Sequence, residues 1–293
     1  MDNLFARKRT ILWFLIPGLL IYFFSALVPI GMSAYYSLLK WDGLSDPAFV
    51  GLANYLRMFR DAELGQAVLR TLVMTVGEMI LIVGGGLLLA YLLTRIHRFR
   101  QTFIVVYCVP IVISTAALAQ MFKLIFSVQP TGLVNTVLSW FDPSWAHLEW
   151  LTNPQTSLAL VTFVDSFANI PTYMLILYAA LLNVPDSLRE AAKIDGAGAA
   201  RTFWSIEIPY IRPIIGTVAF LVLNHVLRSY DIPWLLTSGG PINSSEVQSI
   251  YMYKQLFNSQ DYGYGSAIAI LIVVMCLVFG FVVRAATDRK SIA

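Results

Sequence analysis

Six long apolar runs dictate what this chain can become. They cover about residues 11–39, 67–94, 102–126, 157–182, 208–236 and 264–285, and only single polar residues interrupt them. An α-helix rises about 1.5 Å per residue, so roughly 20 apolar residues cross a hydrocarbon core of about 30 Å. The runs lack the period-two alternation of an outer-membrane barrel, and a spanning segment must satisfy its own backbone, so helices are expected. Composition agrees: with 58% hydrophobic and 13% charged residues and a mean hydropathy of +0.70, the 293-residue chain has too little charge to clothe a soluble body. The expectation is an all-α integral membrane protein with six transmembrane helices, residues 1–293 forming a single transmembrane domain.

Basic residues orient the spans, because positively charged flanks resist translocation. Arg7, Lys8 and Arg9 precede the first run, Arg95, Arg98 and Arg100 follow the second, Arg189, Lys193 and Arg201 follow the fourth, and Arg284, Arg289 and Lys290 end the chain. The alternate segments are 40–66, 127–156 and 237–263, and the middle one has neither Lys nor Arg. Both termini are therefore expected in the cytoplasm. The first run is too long for a signal peptide and offers no cleavage site, so it is expected to be retained. Segment 127–156 reads as loop with one short amphipathic helix near Val134–Phe141. Cys108 and Cys276 are lone thiols within spans, with neither metal-ligand spacing nor an external disulfide partner. The net charge of +3 belongs to this topology and implies no nucleic-acid partner.

Between the fourth and fifth runs lies a polar, small-residue segment, EAAKIDGAGAARTFWSIEIP, from Glu190 to Pro209. Ser187 and Glu190 have the spacing of a capping box, Asp195-Gly196 suits a turn with positive φ, and Ala199–Ile206 suits a second helix closed by Pro209. A helical hairpin over 186–207 is expected on the cytoplasmic face. Two readings stand open: the hairpin only reverses the chain, or its low relief beside Phe203 and Trp204 docks in a groove of another protein.

Polar groups inside spans are costly and usually face protein or water. The fifth run carries Asn224, His225, Arg228, Ser229, Tyr230 and Asp231, of which Asn224, Arg228 and Asp231 share one face of a continuous helix. Asp165, Asn169 and Tyr173 form a second stripe in the fourth run. The stripes could line a pathway, or an Arg228–Asp231 ion pair and a hydrogen-bonded Asp165 could simply hold the bundle together. Glu78, alone in the second run, is either a pathway residue or a satisfied packing carboxylate. Gly84-Gly85-Gly86 lies within the same run and reads as close helix packing. Tyr35, Tyr36, Trp41, Trp140, Trp145 and Trp150 read as an interfacial belt.

No energy-converting or catalytic motif is apparent. None of the six lysines follows a glycine, so no phosphate-binding Gly-Lys-Ser/Thr loop is present, and His97, His147 and His225 are scattered. No catalytic residue and no metal ligand set are assigned.

The hairpin residues Glu190-Ala191-Ala192, Asp195-Gly196-Ala197, Phe203, Ile206 and Pro209 closely resemble the EAA motif of permease subunits in bacterial binding-protein-dependent ABC importers, with Ile208 where leucine is usual. SYDIPWLLTSGGPINSSEV, Ser229–Val247, resembles the Gly-Gly-Pro segment of carbohydrate-uptake permeases of the maltose-type first-subunit family. Trp41–Gly43, Phe49–Tyr55 and Asp261–Ala269 extend the similarity over nearly the whole chain. The resemblance implies a type I ABC importer permease fold in the bacterial cytoplasmic membrane and ATP-driven uptake of a sugar or oligosaccharide. It implies as partners a homologous second permease subunit, two ATP-binding subunits that hold ATP and Mg, and an extracytoplasmic solute-binding protein. Glu190, Ala191, Ala192, Asp195, Gly196, Ala197 and Phe203 would couple to the ATPase, and residues just before the Gly-Gly-Pro loop would meet sugar. Arg228 and Asp231 stand where uncharged polar residues are common, which keeps a polyol, glycerol phosphate or an anionic oligosaccharide open as cargo. An ion-driven secondary transporter is the rival of another class, and would require paired discontinuous helices.

Overall fold

The computed structural model describes residues 8–96 and 98–288; of the residues weighed above, Arg7, His97, Arg289 and Lys290 lie outside them. Five helices in the described residues are long and apolar enough to cross a membrane: Leu15–Tyr36, Ala62–Arg95, Ser157–Leu182, Ala199–Leu227 and Tyr262–Val283. The third expected span is not one straight helix. Arg100–Val112 and Thr115–Ile125 meet at 99°. Pro110 removes a helical donor in the last turn of the first piece, Ile113 turns extended, and the Ser114 hydroxyl caps the second piece by accepting from the Ala117 N–H at 3.3 Å.

The fifth span also departs from expectation at both ends. Its helix begins at Ala199, inside the hairpin, and runs through Pro209 without stopping. The wide π turn Phe203–Glu207 comes just before the proline, as Phe23–Leu27 does before Pro29, and a locally rearranged hydrogen-bond ladder tolerates a residue with no donor. At the far end the helix stops at Leu227, Arg228 leaves helical geometry with φ −112° and ψ 2°, and a new short helix spans Asp231–Thr237. Asn224, Arg228 and Asp231 therefore do not form one stripe.

Chain contacts divide the molecule into two compact units. The larger comprises Glu63–Tyr251 and the chain from Val274 onward. Its core is built around Ser157–Leu182, with Met74, Ile82, Met174, Leu177, Val218 and Val222 fully enclosed. Gly86 lets the second span approach: a Cβ there would sit 3.4 Å from the Met174 backbone nitrogen. Gly84, by contrast, faces open space, so the packing role belongs to Gly86. Segment 127–156 contains a short helix, Leu133–Ser139, to which the Trp150 indole is tied by donating to Asn135 Oδ1 at 2.7 Å.

The smaller unit combines the chain through Ala62 with Met252–Val273. It holds the one departure from all-α structure among the described residues, a two-stranded ribbon pairing Leu39–Lys40 with Ala48–Phe49. The three short similarity motifs converge here. Asn54 donates to the Ser37 and Leu39 carbonyls, each at 2.8 Å, and the Tyr262 N–H donates to the Trp41 carbonyl at 3.0 Å. Arg57 pairs with Asp261 at 2.6 Å while lying over the Tyr264 ring. Gly43, at φ +83°, leaves room for the Tyr262 ring, which a Cβ would meet at 2.7 Å. Asp42 holds the ribbon's turn through the Ser45 N–H and hydroxyl and the Leu44 N–H, which keep its carboxyl down at about 2.

Candidate functional site

Within the larger unit, the bend after Pro110, the middle of Ser157–Leu182 and the break after Leu227 enclose a cavity of about 420 Å³. Six expected pathway residues line it: Asp165, Asn169, Arg228, Ser229, Tyr230 and Asp231. Asn224 and Tyr173 do not. Asn224 donates back to the Phe220 carbonyl at 2.9 Å, and Tyr173 is buried in the apolar core. Arg228 and Asp231 form no ion pair among the described residues; the guanidinium Nε instead donates to the Asn224 carbonyl at 3.0 Å.

Asp165 organises the wall. It is 2% exposed, its Oδ2 accepts from the Ser229 hydroxyl at 2.6 Å, and its Oδ1 accepts from the Asn169 amide at 2.9 Å. His225 Nε2 lies 3.4 Å from the same Oδ1. Glu78 reaches this group from the second span: one ligand atom each of Glu78, Asp165 and His225 lie within 4.8 Å of one another. Glu78 is fully buried, neither carboxylate oxygen accepts a hydrogen bond among the described residues, and the Asp165 carboxylate is its neighbour at hydrogen-bond reach. His225 was missed because the stripe chosen from the sequence was one register off. His225 and Ser229, four apart, are the pair that faces Asp165, while Asn224 and Arg228 belong to the neighbouring row.

The hairpin is present and local in its construction. Asp186–Ile194 forms its first helix and ends in a Schellman motif: Gly196, at φ +75°, donates to the Lys193 carbonyl at 3.1 Å and Ala197 to the Ala192 carbonyl at 2.8 Å. The capping box does not form. The helix starts one residue before Ser187, with Pro185 at the cap and no side-chain cap bond. The Asp186 side chain is instead engaged by Arg189 at 3.1 Å. Glu190, Ala191, Asp195 and Gly196 are exposed, Ala197 is half-buried, and Ala192 is buried.

Phe203 also departs from the expected exposed platform. It is buried, its ring 4.2 Å from that of Tyr91, whereas Trp204 remains 65% exposed. Ile194 is likewise exposed, so the apolar relief available to another protein comes from Ile194 and Trp204. Arg189, absent from the candidates, fastens the hairpin: Nε donates to Glu207 Oε1 at 2.7 Å, and the two terminal nitrogens donate to the Leu181 and Val184 carbonyls. Burial lowers the guanidinium pKa, but the Glu207 and Asp186 carboxylates outweigh it and the net shift is upward. Short-range patterning could not reveal this contact, because Glu207 lies eighteen residues away in the next helix.

The family model described as "Binding-protein-dependent transport system inner membrane component" matches residues 82–292. The probable ABC transporter permease protein YurN of Bacillus subtilis is 31% identical over 267 residues, covering 90% of this chain and 91% of that protein. The multiple sugar-binding transport system permease protein MsmF of Streptococcus mutans is 30% identical, with 89% of each chain covered. A crystal structure of a bacterial alginate ABC transporter, in complex with an alginate pentasaccharide-bound periplasmic protein, aligns with a TM-score of 0.82 at 20% identity over 99% of this chain and 98% of that one. At that identity the structural match speaks for the fold, and it agrees with the six-span permease architecture. With the family model covering most of the described chain and YurN matching nearly end to end, the chain belongs to the family of inner membrane components of binding-protein-dependent ABC transport systems.

Proposed function

We propose that this permease, acting as one transmembrane domain, moves a sugar or oligosaccharide across the bacterial cytoplasmic membrane in an ATP-driven importer. The observation that carries the reading is the polar cavity of about 420 Å³ framed by broken helices, within the range of about 300–1,000 Å³ usual for small-molecule sites. Asp165, Asn169, Ser229, Tyr230 and Asp231 offer donors and acceptors for hydroxyl groups. The names of MsmF and of the alginate transporter support carbohydrate as cargo.

The partners are a homologous second permease, two ATP-binding subunits that carry ATP and Mg, and an extracytoplasmic solute-binding protein; the periplasmic protein in the alginate complex supports the last of these. The hairpin presents Glu190, Ala191, Asp195, Gly196 and Ala197 toward an ATPase groove, with Phe203 supporting it from within. The distribution of basic residues supports a cytoplasmic hairpin and cytoplasmic termini.

Arg228 lines the cavity without an ion-pair partner among the described residues, which favours an anionic oligosaccharide within the same machinery. Uptake into proteoliposomes holding the whole complex should require internal ATP; uptake driven by an ion gradient alone would refute the reading. In the same preparation Arg228→Gln should raise half-saturation about tenfold for an acidic oligosaccharide and little for a neutral one. Unchanged half-saturation for every sugar would remove Arg228 from the pathway.

A further inference from the structure

We propose that Glu78, Asp165 and His225 form a binding site for one divalent transition-metal cation, a metal staple joining three transmembrane helices beside the cavity. The three ligand atoms lie within 4.8 Å of one another, and they come from Ala62–Arg95, Ser157–Leu182 and Ala199–Leu227. Zinc bonds to His nitrogen and carboxylate oxygen are about 2.0–2.2 Å long, so one ion bridges atoms up to about 4.4 Å apart, and ligands within 4.8 Å need close by only a few tenths of an ångström to meet it. Neither Glu78 oxygen accepts a hydrogen bond among the described residues, and the Asp165 carboxylate beside it is a second acceptor, so both acids turn oxygens toward the same small space.

Charge selects a divalent ion. Two carboxylates and a neutral imidazole around a dication sum to zero, which is the arrangement least costly in a low-dielectric bundle. One nitrogen with two oxygens suits zinc or manganese better than calcium or magnesium, which prefer all-oxygen shells.

The surroundings have the other features of a built site. Ser229 and Asn169 hold the two Asp165 oxygens at 2.6 and 2.9 Å, the outer-shell support that orients a metal-binding carboxylate. The wide turn Met79–Gly84 begins directly after Glu78, where a rearranged ladder can re-aim a side chain. The His225 side chain is 31% exposed and lines the cavity, so an ion and its remaining water ligand can enter from there.

The test uses the full chain in detergent, stripped with a chelator, equilibrated with Zn²⁺ and desalted before elemental analysis. The parent and His147→Gln should each retain about one Zn²⁺ per chain. Glu78→Gln, Asp165→Asn and His225→Gln should each bind at least about tenfold more weakly, and Ser229→Ala about tenfold more weakly. Glu78→Gln preserves shape, and gel filtration identifies any variant that is misfolded. Co²⁺ provides a readout on the parent alone: ligand-field bands of a nitrogen–oxygen site should appear and vanish when Zn²⁺ is added. Less than one equivalent on the parent, no Co²⁺ bands, or parent-like binding by folded Glu78→Gln would overturn the proposal.

Discussion

Asn54 and Glu78 are both buried polar side chains, but Asn54 bridges two backbone carbonyls while neither Glu78 oxygen accepts a hydrogen bond among the described residues. Around Asn54 the polar atoms knit a ribbon and a short helix together, and their contribution is to hold shape. The hairpin clamp is of the same kind on its arginine side, with Arg189 spending its nitrogens on Glu207, Asp186 and two helix-end carbonyls, while Glu207 Oε2 accepts no hydrogen bond among the described residues. Around Glu78 two carboxylates are brought together with a partly exposed imidazole at a cavity wall. A satisfied network rigidifies a fold, whereas an unsatisfied one is a cost to folding that a ligand can offset.

This contrast predicts opposite signs for truncation. The largest effect is expected at the clamp. Arg189→Met leaves Glu207, whose side chain is 3% exposed, with only the longer 4.0 Å pairing to Arg95, and should destabilise by about 3 kcal/mol or more, with Arg189→Met/Glu207→Gln recovering much of the loss. Denaturant titration of the full chain in detergent would measure both. A loss under about 1 kcal/mol would place the clamp among surface pairs.

A somewhat smaller loss is expected in the ribbon unit. Asn54→Ala strands the Ser37 and Leu39 carbonyls and should cost about 2–4 kcal/mol, at about 1–3 kcal/mol for each unsatisfied group. Faster hydrogen exchange confined to residues 37–58 would accompany it. Exchange rising evenly over the chain would show that the network is not local.

The smallest effect, and the most diagnostic, is at Glu78. In chelator-treated protein Glu78→Leu should stabilise by about 1 kcal/mol, because it removes a buried carboxylate that accepts no hydrogen bond and sits beside a second carboxylate. A loss as large as that of Asn54→Ala would mean that Glu78 is satisfied in the metal-free protein and would erase the contrast.

How much of this was legible in the sequence depends on contact range. Hydrophobic length announced the spans, and Asp195-Gly196-Ala197 announced a helix stop, because a Schellman motif is completed within six residues. The capping box failed although its spacing was right, because Asp186 and Pro185 begin the helix one residue early and Arg189 draws Asp186 away. The polar stripe on the fifth span failed because it assumed one unbroken helix, and the chain breaks at Arg228.

Alone, then, the sequence determined that this chain lives in a membrane, roughly where it crosses, where it turns back, and which family it resembles. These follow from apolar length, charge asymmetry and motifs carried by neighbouring residues. Only the tertiary structure decided that Glu78, Asp165 and His225 meet, that Arg189 holds Glu207, and that Phe203 turns inward against Tyr91. The physical reason is that a helix presents every side chain to some direction at about 100° per residue, and only the packing of its neighbours decides which direction is a core, a cavity or lipid.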